Sequence, residues 1–443
     1  MSDDGLVPDT APIEPLPAAA PAIRRGRALG RLALPVAAVL VLALVVARSV
    51  ALPPAATDPP EPSPAATASA SAPISFGPPV VGAAVVVDPG PVLGLADAPL
   101  PLSREVFGFL PYWKMDAKSI AGLRYDLLST IAIFGVGITR SGALDTTTNG
   151  YRAFTGATAA KVTAAAHAKK VRVVPTFQLF DSAKAVTMTR FLGDAKAQKK
   201  FIAQAVALIK ARDADGAVLD FEPLPERLSA PFAAFAADFG RALHAKDAKS
   251  QLTVALHQSA SDAQIAEIAT SVDRIFVMAY DYHWRGSQVA GPVAPLDGPG
   301  GDVRLTLLRF IEGAGARKVI LGVPYFGYDW PIAFKGPGAA VRLPASKNGG
   351  TWSVDYAAVV DFLKKHPSLK VQWDPTASSP YVTYHDSKHK TDRQAWYENA
   401  RSIGAKYALA KSAGVAGVGI WALGMDKGRS ELWDLIRTTF GKR

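Results

Sequence analysis

The sequence predicts an α/β protein: a (β/α)8 TIM barrel with a small α+β insertion between strands 7 and 8, preceded by a transmembrane anchor and a disordered linker. Three observations carry this. From Arg104 onward, eight short apolar runs alternate with helical patterns. Each run is nearly continuously apolar, as a parallel strand must be when helices cover the sheet. The repeat fills residues 104–443, a length that suits a barrel with insertions. An open doubly wound sheet is the alternative, but no glycine-rich phosphate loop follows the first run.

The runs are, in order, Val106–Trp113, Leu128–Ile138, Val171–Phe180, Gly216–Glu222, Leu252–Ser259, Arg274–Trp284, Lys318–Tyr328 and Val415–Gly424. Helical patterns such as Ala157–Lys170 and Lys199–Arg212 lie between them. The gap between the seventh and eighth runs is the longest. It holds a helical pattern over Val354–Lys365, the hairpin-like VQWDPTASSPYVTY, and a last helix over Trp396–Ser412.

Ahead of the barrel the composition changes. Residues 1–31 read as a disordered cytoplasmic tail ending in Arg24, Arg25, Arg27 and Arg31. Sixteen unbroken apolar residues follow, Leu32–Ala47, and then Arg48. Snorkelling by Arg48 extends the span over residues 32–52, long enough for a signal-anchor. The arginines before it predict a cytoplasmic N-terminus. A signal peptide, cleaved to give a secreted protein, is the rival; Arg48 sits badly at a small-residue cleavage site. Residues 53–103 are rich in Pro, Ala, Ser and Thr and read as a linker. The folded domain, residues 104–443, is expected to face the cell wall or the extracellular space.

Composition excludes some chemistry. There is no cysteine, so there is no disulfide, zinc-thiolate site or cysteine nucleophile. The formal charge is +11. Residues 1–100 hold five Arg against eight Asp and Glu, so the excess lies on the folded part. A basic surface suits an anionic partner. No arginine-rich run, zinc-finger spacing or RNA-binding aromatic signature points to nucleic acid.

The stretch DGAVLDFEPLP, Asp215–Pro225, holds the most telling pair. On a strand, Asp220 and Glu222 point to one side, roughly 7 Å apart. Val218 shares that face, while Ala217, Leu219 and Phe221 face the helices. The acids therefore point into the barrel at the C-terminal end of its fourth strand, where barrel enzymes keep their catalytic groups. Aromatics gather at the same ends: Tyr112, Trp113, Phe177, Tyr280, Tyr282, Trp284, Tyr325, Tyr328 and Trp421. Flat rings beside carboxylates suit a sugar polymer, because rings stack on pyranose faces and an acid protonates the glycosidic oxygen. On the eighth strand Gly417, Gly419 and Trp421 share parity, so small residues can lie beneath a large ring.

DGAVLDFE resembles the DGxDxDxE signature of glycoside hydrolase family 18, the chitinase-like enzymes. MAYDYHW (Met278–Trp284), GVPYFGYDW and GVGIWALG resemble that family's later strands. GPVAPL and AWYENARSIGAKYALAK are similar to its spore-cortex and cell-wall N-acetylglucosaminidase branch. The resemblance covers about residues 104–440. It implies a substrate-assisted, retaining hydrolysis of β-1,4-linked N-acetylglucosamine polymers, either peptidoglycan or chitin, with no metal or cofactor. Glu222 would be the acid and then the base, and Asp220 would hold the 2-acetamido group. Tyr280 would donate to its carbonyl, Asp281 would bind near the acid, and Trp421 would floor the subsite. Tyr112, Phe177, Tyr282, Trp284 and Tyr325 complete the expected sugar-binding set. The catalytic domain is expected to be monomeric. One position departs: Val218 stands where the family's first signature aspartate is found. Without that partner, Asp220 is expected to turn toward Glu222. A catalytically weak, lectin-like barrel and a purely structural protein are the alternatives.

Overall fold

A parallel sheet that is apolar on both faces has to be covered on both, and here it closes on itself. In the computed structural model, which describes residues 102–442, eight strands form a closed parallel barrel. They are β1 (Glu105–Pro111), β2 (Thr130–Gly137), β3 (Arg172–Phe180), β4 (Gly216–Glu222), β5 (Gln251–His257), β6 (Arg274–Met278), β7 (Val319–Pro324) and, last in the chain, β13 (Gly417–Trp421). β1 pairs with β2 on one side and β13 on the other, which completes the ring. The remaining strands are β8 (Phe326–Ile332), β9 (Trp352–Asp355), β10 (Gln372–Asp374), β11 (Ser379–Asp386) and β12 (Thr391–Trp396).

The helices are α1 (Ala117–Ala121), α2 (Asn149–Thr155), α3 (Ala157–His167), α4 (Val186–Leu192), α5 (Ala195–Ala211), α6 (Ser229–Lys246), α7 (Asp262–Ala269), α8 (Val303–Ala314), α9 (Tyr356–Lys365), α10 (Ala400–Ser412) and α11 (Ser430–Phe440). Local chemistry starts several of them. Asp194 accepts from the backbone N–H groups of Lys196 and Ala197 and so caps α5. α5 buries Ala197, Phe201, Ala205 and Ile209, one stripe at four-residue spacing. Ser261 and Gln264 form a capping box at α7.

The lumen is filled by rings more than by branched aliphatics. Phe276 lies 5.6 Å from Phe107 and 4.8 Å from Phe109, and Phe109 lies 5.3 Å from Trp421. Gly419 makes room for this stack, because a Cβ there would lie 2.1 Å from the Phe276 ring. At the opposite end of the lumen Arg274 donates from Nε to Glu105 at 3.0 Å, crossing between strands that are not neighbours. The lumen thus contains a cation that the strand patterns did not disclose, but it is already paired and sits at the strand starts, away from Asp220 and Glu222.

Three expectations are corrected. The seventh run is two strands: β7 ends at Pro324, which has no N–H to donate, and β8 then enters a separate antiparallel sheet of order β10-β11-β12-β8-β9. The sixth run is strand only to Met278, and residues 279–284 form the loop beyond it. The last predicted helix starts at Ala400, because Trp396 ends β12 and Asn399 caps α10. The insertion is α+β as expected, with β10 and β11 forming the expected hairpin. Leu102 and Ser103 already pack on the barrel through Gly441 and Phe440. The expected tail and anchor, residues 1–52, lie outside the described residues, as do residues 53–101 of the linker. Among the described residues no helix is long and apolar enough to cross a membrane.

Replacing Gly419 with Ala should lower the urea-unfolding free energy by about 1–3 kcal/mol, because the added methyl group collides with Phe276. An unchanged midpoint would show that the ring stack yields freely.

Candidate active site

Strand parity delivers the acids as expected. Phe221 faces outward, 5.1 Å from Phe232 of α6 and 5.9 Å from Phe191 of α4, so Asp220 and Glu222 face inward. Asp220 is 3% exposed and Val218 is fully buried beneath it. Glu222 keeps some accessible surface at the mouth. The two carboxyl groups share one face of β4 and bear on each other's proton. Asp220 Oδ1 has no hydrogen-bond partner among the described residues.

Burial raises both groups. Asp220 is held well above the usual carboxylate range by desolvation and then by the charge of Glu222. Glu222 is pushed up to about 7 by desolvation, aided by the nearby charge of Asp281 and opposed by Asp220. The pair therefore keeps at least one proton near neutral pH, and its apparent pKa values belong to both members.

Asp281 and Tyr280 complete the cluster from the loop after β6. Asp281 adopts φ 61°, a left-handed conformation that Asp tolerates better than most residues. Its Oδ1 accepts from the Tyr328 hydroxyl at 3.0 Å. Desolvation lifts it to about 6, and the Tyr328 bond works against that lift. Tyr280 is 6% exposed and packs edge-on to Phe326 at 5.8 Å. Burial, then the charges of Asp281, Glu222 and Asp220, raise its phenol, so it stays protonated and can donate.

The expected aromatic set divides. Trp421 stands at the end of β13, 4.9 Å from Phe134, and forms a floor with Phe109. Tyr112 lies in the turn after β1, edge-on to Trp113. Trp284 is 56% exposed beyond β6. Tyr282 is tied down at the start of α8: its hydroxyl donates to the Asp302 carbonyl and meets Thr306 Oγ1 at 2.7 Å. Two members do not join the site. Phe177 is fully buried against Phe201 and Phe239 in the helix layer. Tyr325 is buried too, with its hydroxyl 3.4 Å from that of Tyr407 on α10.

Two residues were missed. Tyr328 reads in the sequence only as an aromatic at a strand exit, yet its hydroxyl bonds to Asp281. Gln178 stands in register with Asp220 on the neighbouring strand, and its Oε1 has no partner among the described residues. The parity applied to β4 would have chosen Gln178 over Phe177 on β3. Among the described residues no group of three or more His, Cys, Asp or Glu side chains is arranged to hold a metal ion.

Residues 178–426 match the family model for glycosyl hydrolases family 18. The chain is 30% identical over 250 residues to a di-N-acetylchitobiase of Rattus norvegicus, covering 50% of this chain and 64% of that protein. It is 26% identical over 176 residues to a cortical fragment-lytic enzyme of Bacillus subtilis (strain 168), covering 38% and 36%. The chain thus spans less than two thirds of the length of either relative. A chitinase from Cycas revoluta, solved in complex with (GlcNAc)3, shares the fold with a TM-score of 0.66 at 20% identity, over 76% of this chain and 99% of that one.

The raised carboxyl groups make a prediction about stability. Below the unfolded pKa both states are protonated and nothing is lost. As pH rises through the interval up to about 7, the unfolded chain releases protons that the folded site retains, so folding weakens. Glu222→Gln should therefore stabilise the protein at pH 8, by on the order of 1–3 kcal/mol, and the gain should vanish near pH 4. Thermal unfolding of both proteins across that range checks it; a gain independent of pH would mean that Glu222 is not strained by burial.

Proposed function

The chain belongs to glycosyl hydrolases family 18, and on that premise we propose that it hydrolyses β-1,4-linked N-acetylglucosamine polymers, peptidoglycan or chitin, outside the cytoplasm. The observation that carries this reading is the buried Asp220–Glu222 pair with Glu222 raised to about 7 beside Asp281 and Tyr280. A group poised near neutral pH can give a proton and take one back in the same turnover.

Glu222 is the member of the pair at the mouth, so it protonates the glycosidic oxygen. The substrate's acetamido oxygen attacks C1 as the C1–O bond breaks, which gives a cyclic oxazolinium-like intermediate and the released sugar. Asp220 orients the acetamido N–H, and the Tyr280 phenol donates to its carbonyl. Glu222, now ionised, deprotonates a water that attacks C1 and reopens the ring with net retention. Asp281, fixed by Tyr328, keeps Glu222 from ionising too early. Trp421, Tyr112 and Trp284 supply flat faces for the sugars, and Tyr282 shapes the loop that carries Asp281. No metal or cofactor takes part in this scheme. The apolar segment before the linker would hold a monomeric barrel at the membrane, facing the wall.

Val218 supports one competing reading, a lectin-like barrel that binds the same sugars with little turnover, because it offers Asp220 no polar partner. Hydrolysis separates the two. The full chain should release products from chitin oligomers or peptidoglycan, and Glu222→Gln should cut kcat by about 10²–10⁴-fold while sugar binding persists. Equal turnover in the variant would remove Glu222 from the mechanism; binding without turnover in both proteins would favour the lectin. An N-acetylglucosamine thiazoline should inhibit, and de-acetylated oligomers should not be cleaved. Efficient cleavage of the latter would require an enzymic nucleophile instead.

A further inference from the structure

The positive charge of the folded part is not evenly spread. Residues 101–443 carry a net +14, and between Thr139 and Ala214 alone thirteen Lys and Arg face four Asp and no Glu. This segment is the β2–α2 loop, α2, α3, β3, α4 and α5, one contiguous part of the barrel wall. Elsewhere several arginines are paired, Arg304 with Asp297, Arg309 with Asp262 and Arg124 with Asp126, although exposed Arg285, Arg317 and Arg342 form no ion pair among the described residues. Within this wall Arg140, Lys184, Arg190, Lys196 and Lys200 are exposed, and among the described residues they form no ion pair.

The same wall is concave at one place. Arg140, Ser141, Thr189, Arg190, Gly193 and Asp194 line an open hollow of about 510 Å³. None of Asp220, Glu222, Tyr280 or Asp281 lines it; its residues belong to the segments that follow β2 and β3, so it is a shoulder at the end of the barrel where the acids stand and not over them. The Asp194 carboxylate caps α5 and forms no ion pair with either arginine among the described residues, so the lining holds two cations against one anion. The loop carrying Arg140 rests directly on α5, since a Cβ on Gly142 would lie 1.9 Å from the Ala197 carbonyl oxygen.

The hollow is also tied to the catalytic strand. The backbone N–H of Asp181 donates to the Glu222 carbonyl at 2.8 Å, and the Asp181 carboxylate accepts from Met188 in α4. Arg227, five residues past Glu222, donates to Thr189 Oγ1 at 3.1 Å and to the Lys184 carbonyl at 2.9 Å. One wall of the hollow and the end of β4 are therefore a single hydrogen-bonded unit. A polymer leaving the cleft over this shoulder meets unpaired cations.

We propose that this shoulder binds the carboxylates of an acidic glycan strand whose N-acetylglucosamine unit occupies the cleft, so that the chain prefers an acidic polymer of the peptidoglycan class over neutral chitin. This rests on the hydrolase reading above and names its substrate class. A neutral chain gains no charge–charge attraction from unpaired arginines, whereas a strand with repeated carboxylates gains it at each one it brings within the screening length of about 8–10 Å. A membrane surface fits less well, because Arg140 and Arg190 line a hollow and not a flat face.

The test uses the full chain carrying Glu222→Gln, so that binding is read without turnover, and compares it with the same chain carrying Arg140→Gln and Arg190→Gln in addition. Each is sedimented with purified peptidoglycan, with the same peptidoglycan after amidation of its carboxylates, and with chitin. Expected is binding about tenfold tighter to intact than to amidated peptidoglycan at low salt, a preference that salt erodes and the arginine replacements largely abolish. Equal binding to the intact and amidated polymers, or a preference that survives the replacements, overturns the proposal. So does a wild-type advantage that is larger on phosphatidylglycerol vesicles than on peptidoglycan, which would assign the shoulder to a membrane. Circular dichroism confirms that the variants are folded. Failure of the active chain to hydrolyse either polymer, with the binding preference intact, would retire the hydrolase reading and leave the shoulder standing; hydrolysis without the preference would do the reverse.

Discussion

Two carboxyl groups confined to one buried strand face cannot both ionise cheaply, and the rest of the site is organised around that constraint. Asp220 has too little contact with water to hold a charge beside Glu222. The proton that results is not removed by a buried cation, as it would be in a structural ion pair. The lumen does contain a cation, Arg274, but it is spent on Glu105 at the far end of the strands. Keeping that pair apart from the acids preserves a site where a proton is retained near neutral pH and can be moved.

The insertion takes part in this arrangement. Tyr328, which fixes Asp281, belongs to β8 in the antiparallel sheet and not to the barrel. Its neighbour Asp329 is fully buried and accepts from Arg393 Nε at 2.9 Å and from the Tyr384 hydroxyl at 2.6 Å. Arg393 also stacks over Trp352 at 3.8 Å. A buried ion pair of this kind is weak evidence for stability, but it links three strands next to the residue that orients Asp281. On the other flank Lys114, just past β1, donates to Asp355 at 2.6 Å between β9 and α9. The sheet is thus fastened to the mouth through polar contacts on both sides of β8.

Packing beneath the site works by close approach. Phe107, Phe109 and Phe276 fill the lumen because β13 offers glycine where the Phe276 ring arrives. Trp421 then closes over Phe109 and Phe134 and presents its ring to the mouth. The same strand therefore supplies the gap below and the floor above.

Much of this was written in local pattern. Eight apolar runs, the inward parity of Asp220 and Glu222, the glycine spacing before Trp421 and the absence of cysteine are properties of single segments, and they determined the barrel, the acid pair and the chemistry that pair can support. Where two segments had to meet, pattern was insufficient. The run Lys318–Tyr328 is apolar on both sides of Pro324, so the proline marks a break but nothing local shows that the residues after it join a second sheet. Phe177 and Tyr325 look like cleft aromatics until strand packing turns them toward α5, α6 and α10. Tyr328 reaches Asp281, and Arg274 reaches Glu105, across sequence separations that no periodicity encodes. A side chain's face is set by its own strand, but its partner is set by which strands the closed sheet brings opposite one another, and that is decided only when the barrel forms.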